Sequence, residues 1–211
     1  MKLILSSSDF INKYSKQVIL NNINKELSDN KVLFIPNEKA TIEKLKSNKY
    51  YDRLYQDGFT NRDNIYIFDE TKVNKFRDLD IDLIYISGGN TFATLDKIKK
   101  CGFDKDITNY IKNGVIYIGG SCGAHIVTKS IKHLEKIDNN YLNIKDYNAL
   151  GLLDGIIIPH YNEKGYNPNL RKQVNDKLIS ENKYKVYTLT NDDSLVIIDS
   201  NIIEYKGLDQ N

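Results

Sequence analysis

The residues best suited to do chemistry are clustered around two glycine-rich turns. Gly119-Gly120-Ser121-Cys122-Gly123 follows the apolar run 115–118 and precedes a helical pattern. A serine with small residues two before and two after it, between a strand and a helix, can be lifted out on a sharp turn with its Oγ aimed away from the backbone. The helix starting near Cys122 would present unpaired N–H groups and a positive dipole end to an oxyanion formed there. Hydrolysis through a tetrahedral intermediate needs a second donor from a neighbouring loop. Ser87-Gly88-Gly89-Asn90-Thr91, after the apolar run 83–86, offers one. The expected oxyanion donors are therefore the N–H groups of Cys122 and Gly89, with Gly88 as the alternative. Asn90 is expected to cap the next helix and to contact substrate.

A serine nucleophile needs a base. Of the three histidines, His125 and His133 fall on or near the end of the helix after the turn, where a partly exposed, non-catalytic role is expected. His160 directly follows the apolar run 156–159, which places it at a strand end facing the same crevice as Ser121. The carboxylate that would hold the imidazole tautomer has two local candidates, Asp138 and Glu135. Two rivals stand beside this reading. Cys122 also has small neighbours, Gly120 and Ala124, and could be the nucleophile of a cysteine hydrolase or amidotransferase. A binding protein that keeps the crevice and does no catalysis is the other.

These residues can meet only if the elements between them form an open α/β sheet. Apolar runs at 3–5, 32–35, 65–68, 83–86, 115–118, 156–159 and 186–189 alternate with helical patterns at roughly 9–28, 40–55, 91–100, 104–113, 122–133 and 168–181. Alternation of this kind predicts a single, mostly parallel, doubly wound sheet with helices on both faces. Residues 195–205 read as a C-terminal β-hairpin turning on Asp199-Ser200-Asn201. One domain over 1–211 is expected. Hydrophobic residues at 40% and charged residues at 27% suit a packed core, and 30 basic against 28 acidic residues, without a basic run, give no reason to expect nucleic acid or an anionic membrane as partner. The short apolar N-terminus reads as a first strand rather than a signal peptide. The two cysteines are too few for a disulfide framework and are not spaced as a metal clamp, so a reducing cytoplasm is expected.

Taken together, Gly119-x-Ser121-x-Gly123-Ala124, Ser87-Gly88-Gly89-Asn90-Thr91, Pro159-His160-Tyr161 and the approach Ala149-Leu150-Gly151-Leu152 resemble the peptidase E and cyanophycinase family of serine peptidases. The likeness extends to the opening Leu3-Ile4-Leu5-Ser6-Ser7 and to Leu33-Phe34-Ile35-Pro36, so it covers most of the chain. It implies a fold like class I glutamine amidotransferases and a Ser-His-carboxylate site with no metal or other cofactor. The implied substrate is a short peptide with an acidic N-terminal residue. Registering 149–152 on the family places its catalytic aspartate at Asp138, with Glu135 still open, and suggests Arg171 as a carboxylate-binding group. Cys122 departs from the alanine that usually follows the nucleophile.

Overall fold

Residues 1–207 are described by the computed structural model, so the last four residues of the domain expected over 1–211 lie outside the described part. Strands β1 (Lys2–Ser6), β2 (Val32–Ile35), β3 (Ile65–Ile67), β4 (Leu83–Ile86), β5 (Ile116–Gly120), β8 (Ser194–Ile198) and β9 (Asn201–Tyr205) form one sheet in the order β3-β2-β4-β5-β1-β8-β9. The strands from β3 to β1 run parallel, and β8 pairs antiparallel with β1 and with β9. The C-terminal hairpin is therefore an edge addition, as its polar turn suggested.

Side chains alternate across this sheet with period two. Leu3, Leu5, Leu33, Ile35, Ile84, Ile86 and Tyr117 enter one core, while Ile4, Val32, Phe34, Leu83, Tyr85, Ile116 and Ile118 enter the other. Helices α4 (Thr91–Lys100), α5 (Phe103–Lys112) and α6 (Cys122–Ile126) cover the first face through residues such as Phe92, Ile107 and Ile126. Helices α1 (Lys13–Asn22) and α3 (Lys49–Asp57), with the short α2 (Ile42–Lys46) before α3, lie with the second face, where Ile19 and Leu54 are buried. Because both faces are covered, these strands read as continuous apolar runs.

Three expectations change. First, β6 (Ile156–Ile158) and β7 (Val186–Thr188) pair in parallel as a separate two-stranded sheet, with α7 (Pro168–Glu181) between them in sequence. Their apolar runs read like the others, and nothing local distinguishes a strand of one sheet from a strand of another. Second, the helix expected over 9–28 is confined to α1, because Asp9–Ile11 and Leu27–Asp29 are 3₁₀ turns and Asn12 caps α1 through its side chain. Third, the helix expected over 122–133 stops at Ile126; the next stretch spends its backbone groups on 149–153, for example Leu150 N–H to Ile126 O at 2.9 Å.

Candidate active site

Ser121 occupies the turn between β5 and α6 with φ 47° and ψ −102°, a region that a residue with a side chain rarely visits. Its N–H donates to Ser6 O at 2.9 Å and its carbonyl accepts from Ala124 N–H at 3.0 Å, so the strained turn is pinned to β1 behind and to α6 in front. Gly123 is required by packing: a Cβ there would overlap the Ile86 carbonyl of β4.

His160 comes off the end of β6, also at positive φ, 54°. Ser7 Oγ accepts from its N–H at 3.0 Å and donates to Leu189 O at 3.0 Å, which ties the β1, β6 and β7 strand ends together. The result is a Ser121 Oγ to His160 Nε2 distance of 3.0 Å. On the other side of the ring, Nδ1 lies 2.7 Å from Asn191 Oδ1. That oxygen can only accept, so Nδ1 carries the proton and Nε2 is left with its lone pair toward the serine. Asn191 Oδ1 also accepts from Ser8 Oγ at 3.1 Å, and Asn191 N–H donates to Glu163 Oε1 at 2.9 Å. Tyr166 stacks on the imidazole, with centroids 3.7 Å apart and planes 5° from parallel. Burial lowers the His160 pKa below its ordinary value and Arg171 adds to this, while the Asn191 hydrogen bond and the charges of Glu163 and Asp9 oppose it.

The carboxylate expected at the imidazole is not there. Asp138 accepts from Asn90 Nδ2 at 2.8 Å and from Thr91 N–H at 2.9 Å, so it holds the start of α4 rather than His160. Glu135 takes the Tyr147 hydroxyl at 2.5 Å and is exposed. Asn191 is the group that the sequence reading missed. Its one available signal was position, two residues after the run 186–189 that pairs with the histidine strand, and a search limited to carboxylates passes over an amide.

The other expected residues fall as follows. Asn90 caps α4 through Ala93 N–H at 3.0 Å, and its amide is committed to Asp138 and Asn139 O. Gly88 lies beside the serine turn, where a Cβ on it would stand 3.8 Å from Ser121 Cβ, and Gly89 follows it against Asn37 and Glu38. The N–H groups of Gly88, Gly89 and Cys122 meet no protein acceptor among the described residues. Arg171 is buried, with Nε donating to Pro159 O at 2.9 Å and Nη1 to Tyr166 O. Its guanidinium thus holds the two ends of the histidine loop instead of offering an open fork. Cys122 is buried in the first core and burial pushes its thiol up to about 12, which disfavours the thiolate that a cysteine nucleophile needs. His125 is more enclosed than expected, buried with Nδ1 on Thr91 Oγ1 at 3.1 Å, whereas His133 is half-buried as expected, with Nε2 donating to Ile157 O at 3.2 Å. Neither imidazole contacts Ser121 Oγ, although the His125 N–H donates to Ser121 O at 3.2 Å within the turn.

A serine on a strained strand-to-helix turn, with a tautomer-fixed histidine at its Oγ and free backbone donors beside it, is a geometry suited to a serine hydrolase. The profile of peptidase family S51 matches residues 2–205, and the chain belongs to that family. Among relatives, an uncharacterised peptidase of Listeria monocytogenes is 34% identical over 126 residues, 58% of this chain and 59% of that protein. Peptidase E of Escherichia coli is 30% identical over 95 residues, 44% of this chain and 41% of that one. The matched segments thus span well under two thirds of these relatives. A solved structure from Listeria monocytogenes, described as of the peptidase E type, superposes with a TM-score of 0.70 at 25% identity, covering 97% of this chain and 98% of the other. No helix among the described residues is long and apolar enough to cross a membrane.

Proposed function

We propose that this chain is a serine peptidase that cleaves short peptides through an acyl-enzyme on Ser121. The observation that carries the reading is the continuous Ser121–His160–Asn191 contact, at 3.0 and 2.7 Å. Ser121 Oγ attacks the scissile carbonyl as its proton passes to His160 Nε2, and the C=O electron pair moves onto oxygen beside the N–H groups of Gly89 and Cys122. Collapse of this intermediate expels the amine, which takes the proton from His160, and water repeats the sequence to release the acid. Asn191 holds the imidazole by a neutral dipole. It orients the ring as a carboxylate would but stabilises the imidazolium less.

The test is labelling with a fluorophosphonate, which reacts only with an activated hydroxyl. The expected result is one adduct on Ser121, absent in Ser121→Ala and in His160→Ala. Labelling that survives Ser121→Ala would end the reading.

An acidic N-terminal residue in the substrate is the finer part of the proposal, supported by the family likeness. Arg171 lends it no support, since Nε and Nη1 are spent on backbone carbonyls. A preference for Asp-X over the matched Asn-X dipeptide in kcat/KM is the check, and equal rates would remove the acidic specificity while leaving the serine chemistry untouched.

A further inference from the structure

We infer that Asn37 is a positioning residue that sets the direction of the oxyanion-hole peptide between Gly88 and Gly89, an inference that rests on the serine peptidase reading above. Strands β2 and β4 are neighbours in register, Ile35 opposite Ile86, so the loops leaving their carboxyl ends lie side by side. Asn37, two residues past β2, donates from Nδ2 to Gly88 O at 2.9 Å. The chain contains no cis peptide among the described residues, so the carbonyl of Gly88 and the N–H of Gly89 point in opposite directions across one plane. Drawing the carbonyl onto Asn37 therefore turns Gly89 N–H away from Asn37 and into the crevice, where it meets no protein acceptor among the described residues.

The following peptide is held independently. Asn90 N–H donates to Glu38 Oε2 at 2.9 Å, and Asp138 grips Asn90 and Thr91 from the other side. A Cβ on Gly89 would overlap Asn37 Cβ and stand 2.8 Å from Glu38 Oε2, so the loop packs directly on this brace. The brace is itself anchored: Lys97 Nζ of α4 donates to Pro36 O at 2.9 Å and to Asn37 O at 3.3 Å. Glycines at 88 and 89 leave the peptide free to flip at little steric cost. Without the Asn37 amide, the orientation with N–H outward would lose the bond that selects it. An oxyanion donor acts on the transition state, so the consequence belongs in kcat and not in KM.

The experiment compares Asn37→Ala and the isosteric Asn37→Asp with wild type, using p-nitrophenyl acetate as acyl donor and a peptidyl boronic acid as tetrahedral probe. Expected for both is a kcat lower by about 10–100-fold, boronate affinity weaker by a similar factor, and KM and melting temperature near wild type. Asn37→Asp should be the worse of the two, because its carboxylate faces the Gly88 carbonyl with no proton to give. Either variant retaining kcat within about twofold, or a loss confined to KM, overturns the assignment. So does a loss that follows a general fall in melting temperature. Failure of the underlying reading shows separately, as p-nitrophenyl acetate turnover and fluorophosphonate labelling that persist in Ser121→Ala.

Discussion

At the residue scale, an amide where a carboxylate was expected has a measurable consequence. On the proposed mechanism, activity is expected to require neutral His160 and to fall as pH drops through its pKa, which burial holds below the ordinary value near 6.5. Asn191→Asp places a negative charge 2.7 Å from Nδ1 and stabilises the imidazolium, so the acid limb of kcat/KM should move to higher pH by about one unit or more. Asn191→Ala should lower kcat by about 100-fold through loss of the tautomer and ring orientation. A pH–rate profile of both variants checks this, and an unmoved acid limb in Asn191→Asp would mean that the contact does not form in solution. Cys122→Ala is expected to leave kcat within about twofold, since the backbone donor survives and the thiol only fills core space. Its cost is stability, on the order of 1 kcal/mol by thermal melting.

Elements carry the next set of effects, because the proposed catalytic groups sit on turns that other segments hold in place. Asp138 anchors the N-terminus of α4 and the glycine loop before it. Asp138→Asn should therefore reduce kcat, by about tenfold, without moving the acid limb that Asn191→Asp moves. Those two profiles separate a loop anchor from a member of the proton relay. Arg171 does comparable work on the histidine loop, where His160, Asn162 and Asn167 all have positive φ. Arg171→Met removes the donors to Pro159 O and Tyr166 O and leaves the buried Pro159 carbonyl unpaired, at about 1–3 kcal/mol. The expected outcome is lower melting temperature and lower kcat with an unchanged Asp-X to Asn-X ratio, whereas a collapse of that ratio alone would restore Arg171 as a substrate clamp.

For the whole molecule, pH dependence of stability follows from buried titrating groups on opposite faces. Burial depresses His133 to about 4 and holds His125 well below its usual value. A histidine kept neutral in the fold contributes stability that is complete above its unfolded pKa near 6.5 and is lost as pH falls toward the folded value. Asp57 works the other way. Burial raises it to about 6 despite Arg53, so the folded state gains stability as pH falls from about 6 toward the ordinary carboxylate range. The two windows overlap, and a single melting curve reports only their difference. The clean measurement is differential: the loss of melting temperature between pH 7.5 and pH 5 should be smaller in His133→Gln than in wild type. An equal loss would show that His133 is not the group that protonates.

The β5 turn, the glycine loop after β4 and the placing of His160 were legible in the residues because each depends on local demands: small side chains at a sharp turn, an apolar run before it, a helical period after it. Strand alternation was legible for the same reason, since burial on both faces writes itself as an apolar run of strand length. What local pattern could not carry was which distant groups meet. Asn191 reaches His160 because β7 pairs with β6 in its own small sheet, and Asp138 falls to Asn90 because the stretch after α6 turns back on residues 149–153. Both outcomes are set by the pairing of segments far apart in the chain. A carboxylate of suitable type and spacing is therefore visible in the sequence, whereas its partner is decided only when the strand ends are brought together.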